Sequence, residues 1–296
     1  MPQQLEIASL LAAPPSPENA RALFDWATAI PGRIARGDMI IGILTVDDIA
    51  QVPVALSRAA DGGIDQALLK LAFWFANPAF GDPDLPTAER ELLDAIRRGI
   101  PGADLGLAQL RWFYQRDECG PEQRAQAYQL VEDRVRRHPD DARALYLLGL
   151  LTCAGFGTSA DPTRALDLQR RSADLGDPAA MFEIYAQYAN GIGAPRDDAA
   201  AFAALTRAAD AGHPRALYNM GAYHATGRGI PKDLTKAVAW YERAADAGQA
   251  GAIATLAIMY ARGEGVPRDP ERAAELFDQA EYLGLDVSAA RRLISC

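Results

Sequence analysis

The chain is poor in the residues from which metal, disulfide and hydrolytic sites are usually built. It has three cysteines, Cys119, Cys153 and Cys296, odd in number, irregularly placed and without a Cys-x-x-Cys spacing. Neither a disulfide framework nor a thiolate metal site is expected from them. The three histidines, His138, His213 and His224, share no ligand spacing, so no metal and no cofactor is expected. The longest uncharged run, Ala144 to Ala160, has 17 residues and ends in a Gly/Thr/Ser-containing stretch, short of the roughly 18 apolar residues a membrane helix needs. No Lys/Arg block exceeds two residues, and the net charge is −9 with a pI near 4.9. Such a chain is repelled by phosphate backbones and anionic lipid, which argues against nucleic acid and membrane as partners. The opening stretch has no cationic start, and its apolar residues are interrupted by Glu6 and stopped by Pro14-Pro15. A secretory leader is therefore not expected, and a reducing cytoplasm is the expected setting.

What the chain does have is a period. The segment beginning at Ala144 recurs at Ala180, Ala216 and Ala252, 36 residues on each time. Every copy carries two glycines at fixed offsets: Gly155/Gly157, Gly191/Gly193, Gly227/Gly229 and Gly263/Gly265. An aspartate follows each pair (Asp161, Asp197, Asp233, Asp269), then an alanine, then a closing glycine (Gly176, Gly212, Gly248, Gly284). Self-similarity at such a period marks a stacked-repeat architecture.

Each copy reads as helix, turn, helix. Apolar residues fall at helical spacing from about Ala144 to Ala154, and a glycine then supplies the left-handed conformation that ends a helix. The aspartate is a helix N-cap, followed directly by proline at Pro162 and Pro270, where proline suits the first helical position. Asp177-Pro178 and His213-Pro214 open the next copies by the same logic. Small residues such as Gly149, Gly221, Ala208 and Ala244 permit close helix approach.

Upstream the pattern persists in degraded form. Ala67 and Ala103 start first-helix patterns 36 residues apart, with Gly63 and Gly99 four residues before them. From Ala103 to Ala144 is 41 residues, a five-residue insertion that holds a longer helix over about Pro121 to Arg137. Glu18 to Ile30 reads as an N-terminal capping helix and Val287 to Ile294 as a C-terminal one.

The stretch Ala216-Leu-Tyr-Asn-Met-Gly-Ala-Tyr-His-Ala-Thr-Gly-Arg-Gly-Ile-Pro-Lys-Asp-Leu-Thr-Lys-Ala-Val-Ala-Trp-Tyr resembles the Sel1-like repeat, a relative of the tetratricopeptide repeat. The family's Gly-x-Gly, Lys-Ala and Trp-Tyr positions fall on Gly227/Gly229, Lys236-Ala237 and Trp240-Tyr241. The second copy lacks the lysine, and the Ala67 copy has Pro78 and Phe80 where glycines belong. The fold implied is all-α, a right-handed αα solenoid of about six repeats with capping helices. One continuous body is expected: capping helices and a degenerate half-repeat over 1–66, two degenerate repeats over 67–143, four regular repeats over 144–284, and a capping helix over 285–296. The role implied is a scaffold or adaptor in protein assemblies.

No catalytic residue is assigned. The Gly-x-Gly pairs lack the Lys-Ser/Thr ending of a P-loop and recur as helix terminators. The neighbours Asp47-Asp48, Asp140-Asp141 and Asp197-Asp198 precede helices and read as caps. The arginine pairs Arg97-Arg98, Arg136-Arg137 and Arg170-Arg171 stand near helix C-termini, where cations complement the dipole. Some cysteine-rich members of the family are linked to β-lactams, an enzyme alternative. Their disulfide-per-repeat pattern is missing here, and no serine is followed three residues later by lysine.

The resemblance to tetratricopeptide arrays implies a concave groove lined by first helices. The third residue of each then faces it: Leu69, Leu105, Tyr146, Phe182, Tyr218 and Ala254. Glu183, Asn219 and Arg262 flank them, with Phe73 and Trp112 as the less generic positions in the irregular half. Aromatic anchors among polar neighbours suit capture of a peptide or helix. The candidate partner-binding set is thus Phe73, Trp112, Tyr146, Phe182, Glu183, Tyr218, Asn219 and Arg262. The expected partner is another protein. A sharper alternative is an immunity protein or chaperone neutralising a basic bacterial toxin or effector, to which an acidic scaffold would be complementary.

Overall fold

The computed structural model describes residues 9–13, 16–35, 46–77 and 82–292. Pro78, Phe80, Cys296 and the first eight residues lie outside them. Every regular element among the described residues is a helix. After a helical turn over 9–12, they are in chain order α1 (Pro17–Ala35), α2 (Val46–Asp61), α3 (Gln66–Ala76), α4 (Leu85–Arg97), α5 (Ala103–Phe113), α6 (Pro121–Arg137), α7 (Ala142–Ala154) and α8 (Pro162–Asp174). Then follow α9 (Pro178–Asn190), α10 (Asp198–Asp210), α11 (Pro214–Thr226), α12 (Leu234–Asp246), α13 (Ala250–Arg262), α14 (Pro270–Tyr282) and α15 (Ser288–Arg291).

The helices start where the sequence places caps. Asp161, Asp197, Asp233 and Asp269 each accept a backbone N–H of the following turn, at 2.9–3.0 Å. Asp141 and Asp177 do the same for α7 and α9, leaving fewer orphan donors at each N-terminus. First helices end at Gly155, Gly191, Gly227 and Gly263, all left-handed with φ between 69° and 72°. The second glycine of the pair has a different task. At Gly193 a Cβ would stand 2.2 Å from the Pro162 carbonyl oxygen, and at Gly265 2.4 Å from that of Leu234. At these two positions the loop rests on the N-terminus of the preceding repeat's second helix, and only a glycine fits there.

Inside a repeat, the two helices meet through complementary bulk. A Cβ on Gly149 would lie 2.5 Å from Gln169 Nε2, and one on Gly221 2.7 Å from the Tyr241 ring. In these two repeats the first helix supplies a glycine where the second carries a large side chain.

Contacts divide the molecule into two compact units. The first is Met1–Arg137 with Phe156–Thr158, and holds α1 to α6. Each helix there packs on its sequence neighbours, around Leu23, Val52, Leu56 and Leu68 at one end and Leu92, Leu107 and Leu110 at the other. Helix α1 is longer at both ends than Glu18–Ile30. Helix α6 coincides with the reading of Pro121 to Arg137. A buried arginine, Arg111 at 2% exposure, ties α4, α5 and α6 together. Its guanidinium donates to Glu89 Oε1 at 2.7 Å, the Gln123 carbonyl at 3.0 Å and Gln126 Oε1 at 2.8 Å.

The second unit is His138–Gly155 with Ser159–Cys296, and holds α7 to α14 as four helix pairs followed by α15. One apolar core runs through all four pairs, from Leu166 and Leu205 through Met220 and Leu256 to Phe277. The C-terminal helix is shorter than expected from Val287 to Ile294, and Ile294 lies outside the described residues. Arg291 fastens it to α14 by donating to Asp278 and to Glu281.

Candidate protein-binding surface

In the second unit the first helices α7, α9, α11 and α13 carry six of the eight candidates. Tyr146, Phe182 and Glu183 come together around one spot. Tyr146 and Phe182, expected to stand open in a groove, are instead only 8% and 5% exposed and belong to the core. The reason for this correction is the start of the helices that hold cations over them. The Arg143 guanidinium lies over the Tyr146 ring at 5.0 Å. The Phe182 ring is covered from the following repeat, by the stacked His213 imidazole at 4.7 Å and the Arg215 guanidinium at 4.8 Å. Such stacking suits the planar, weakly hydrated guanidinium.

Burial sets the protonation chemistry. The Tyr146 hydroxyl is pushed up to about 12, first by desolvation and then by the nearby Glu183 carboxylate, with Arg143 and Arg215 pulling the other way. Desolvation also raises the Glu183 carboxyl, against the pull of Arg215. Glu183 is half-buried and has no hydrogen-bond or ion-pair partner among the described residues. Beside it on α9, Gln187 is 5% exposed with its Oε1 unpartnered, and it hydrogen-bonds Cys153.

Tyr218 and Asn219 are half-buried one repeat on. Tyr218 packs on Tyr241 at 5.3 Å, and Asn219 hydrogen-bonds Tyr185, which also pairs with Tyr223. Arg262 is exposed at the far end of α13, 3.5 Å from Glu264. The remaining two candidates, Phe73 and Trp112, belong to the first unit. Phe73 is 53% exposed on α3. Trp112 is half-buried, with Arg116 over its ring at 4.5 Å and Phe156 edge-on at 5.4 Å.

The sequence reading passed over Arg143 and Arg215. Their signal was present: the tetrapeptide Arg-Ala-Leu-Tyr occurs at Arg143–Tyr146 and again at Arg215–Tyr218. Phe113 and Tyr114, exposed beside Trp112, were also missed.

The chemistry available is that of recognition. Among the described residues no group of three or more His, Cys, Asp or Glu is placed to hold a metal ion. Desolvation raises the Cys119 and Cys153 thiols, away from the thiolate a nucleophile needs. No described helix is long and apolar enough to cross a membrane.

Helix pairs of constant length stacked through one core define an αα-repeat protein. Residues 142–177, 184–213, 214–249 and 250–285 match the Sel1 repeat, so the chain carries four Sel1 repeats. A Sel1 repeat protein from Oxalobacter formigenes aligns with a TM-score of 0.57 at 26% identity, over 68% of this chain and 82% of its own. A protective antigen present in uropathogenic Escherichia coli strains, displaying an SLR fold, aligns at 0.54 and 22% identity over 82% of this chain. The present chain covers 50% of the length of that protein. An immunity protein from Pseudomonas aeruginosa aligns at 0.50 and 20% identity, over 78% of this chain and 82% of its own. No curated protein matches the chain. Sel1 repeat proteins generally mediate protein–protein interaction, and their fold is typically a non-catalytic scaffold.

Proposed function

We propose that this chain is a bacterial, cytoplasmic adaptor that binds one protein partner on the first-helix face of its second unit, without catalysis. The observation that supports this reading is a group of charged side chains on first helices without ion-pair partners among the described residues: Arg143 and Arg215, stacked on the buried Tyr146 and Phe182, and the half-buried Glu183. Several exposed cations on second helices and their caps are instead paired, as in Arg170–Asp167, Lys236–Asp233 and Arg272–Glu275, while Arg171 and Arg243 there have no carboxylate either. A partner that offers the first-helix groups oppositely charged or polar atoms gains charge-assisted hydrogen bonds there. The free thiols of Cys119 and Cys153 accord with a reducing compartment.

The narrower form of the reading is an immunity protein or chaperone whose partner is a toxin or effector. Its signature is a stoichiometric partner encoded beside this chain's gene. The test is capture from native lysate with the wild-type chain and with Glu183→Ala/Tyr218→Ala/Asn219→Ala, checked for unchanged helicity. One partner lost only in the variant supports the surface. Retention by both moves binding to another face, and an empty capture sinks the adaptor reading.

A further inference from the structure

We infer that the first-helix face of the second unit takes an acidic segment of its protein partner, with Arg143 and Arg215 as the groups that receive its carboxylates. This rests on the adaptor reading above and reverses the charge expected from the chain as a whole. The total is −9, but the charge is segregated. Helices α7, α9, α11 and α13 carry Arg143, Arg215 and Arg262 against a single carboxylate, Glu183. The second helices α8, α10, α12 and α14 carry ten carboxylates against seven Lys/Arg, and the excess lies on α14, where Glu271, Glu275, Asp278 and Glu281 face a single cation, Arg272. A partner reads the local sign of the surface it meets, more than the net charge.

The two arginines are also prepared for the task. Both are exposed, and neither lies within ion-pair distance of a carboxylate among the described residues. Each guanidinium is held by an aromatic face, Arg143 by Tyr146 and Arg215 by Phe182, which leaves its N–H edges for a planar acceptor. The stacking restricts the side chains beforehand, so less rotamer freedom is lost on binding. Arg143 and Arg215 act on the same Tyr146 hydroxyl together with Glu183 and Asp177, which places the two arginines near one spot although they are two repeats apart. Glu183 and Asp177 are half-buried, the latter as the cap of α9, whereas both guanidiniums are exposed to a partner. The half-buried Tyr218 and Tyr185 add apolar area, which suits a polypeptide with apolar residues between its acids. A polyphosphate chain would meet the repulsion of the remaining acidic surface.

The test is fluorescence anisotropy with the full chain and three labelled probes of matched length: a Glu/Leu peptide, a Lys/Leu peptide and a single-stranded RNA. The Glu/Leu peptide is expected to bind, more weakly as salt rises, and to lose about tenfold or more in affinity in Arg143→Gln/Arg215→Gln. Arg170→Gln, which removes a cation already paired on a second helix, is expected to leave binding unchanged. Tighter binding of the Lys/Leu peptide, equal binding of the RNA, or full affinity in the double variant overturns the inference. If no probe binds while lysate capture still yields a partner lost in the Glu183/Tyr218/Asn219 variant, the acidic segment is wrong and the adaptor reading stands. An empty capture removes both.

Discussion

The His213 imidazole lies parallel to the Phe182 ring, 4.7 Å between centroids and 18° between planes, while its Nδ1 accepts the Ala216 N–H at 3.4 Å. The cap needs an unprotonated Nδ1. Burial, then the Arg215 charge, hold the histidine below its ordinary 6.5, against Asp177. A group with a depressed folded value contributes stability that is fully present above its unfolded value and lost as pH falls through the folded one. The wild type is therefore expected to lose melting temperature on acidification below about pH 6.5, beyond the loss in His213→Asp, which places there the residue found at Asp177. Thermal melts of both at several pH values check this, and parallel curves refute it.

Glu183 carries the opposite sign. Its folded value is raised from 4.5, so its contribution is complete below that pH and is lost as pH rises through the folded value. Glu183→Gln is expected to be the more stable protein at pH 7, with the advantage closing below about pH 4.5. A stabilised variant that also binds partner less well would mark Glu183 as a residue kept for binding at the expense of the fold.

The paired glycines separate two costs. Gly193 and Gly229 both have left-handed backbones, φ 76° and 71°, but a Cβ at Gly229 meets nothing within 4 Å. Gly229→Ala is expected to cost roughly 1–2 kcal/mol from backbone conformation alone. Gly193→Ala adds a clash with the Pro162 carbonyl and is expected to cost distinctly more. Urea titration of the two variants ranks them, and equal losses would refute the loop-on-helix contact.

Buried Arg111 holds Glu89 in place. Arg111→Met strands that carboxylate and two further acceptors, and is expected to cost about 3–5 kcal/mol. Arg111→Met/Glu89→Leu removes the stranded charge as well and is expected to recover part of the loss. Denaturation of the single and double variants measures the difference.

The repeat was legible because its punctuation is local. Asp161, Gly155 and their 36-residue copies act on their own helix ends, so spacing alone located α7 to α14. The surface was less legible because it depends on what neighbouring helices cover. Tyr146 and Phe182 have the same position in their helices as Tyr218, yet the first two are buried and the third is half-exposed. What decides this is Arg143 on the same helix and His213 and Arg215 on the next repeat, pairings that no single-helix periodicity reveals. Arg111 likewise reads in sequence as an ordinary surface cation, and only the convergence of α4, α5 and α6 buries it.

In the second unit, each helix of the stack leans chiefly on the ones before and after it in sequence. Pulled from its ends, such a stack parts joint by joint, as a zip does, and not all at once. The close seat made by Gly193 on α8 and by Gly265 on α12 has no counterpart at Gly229. The joint between the second and third helix pairs is thus the one without this seat.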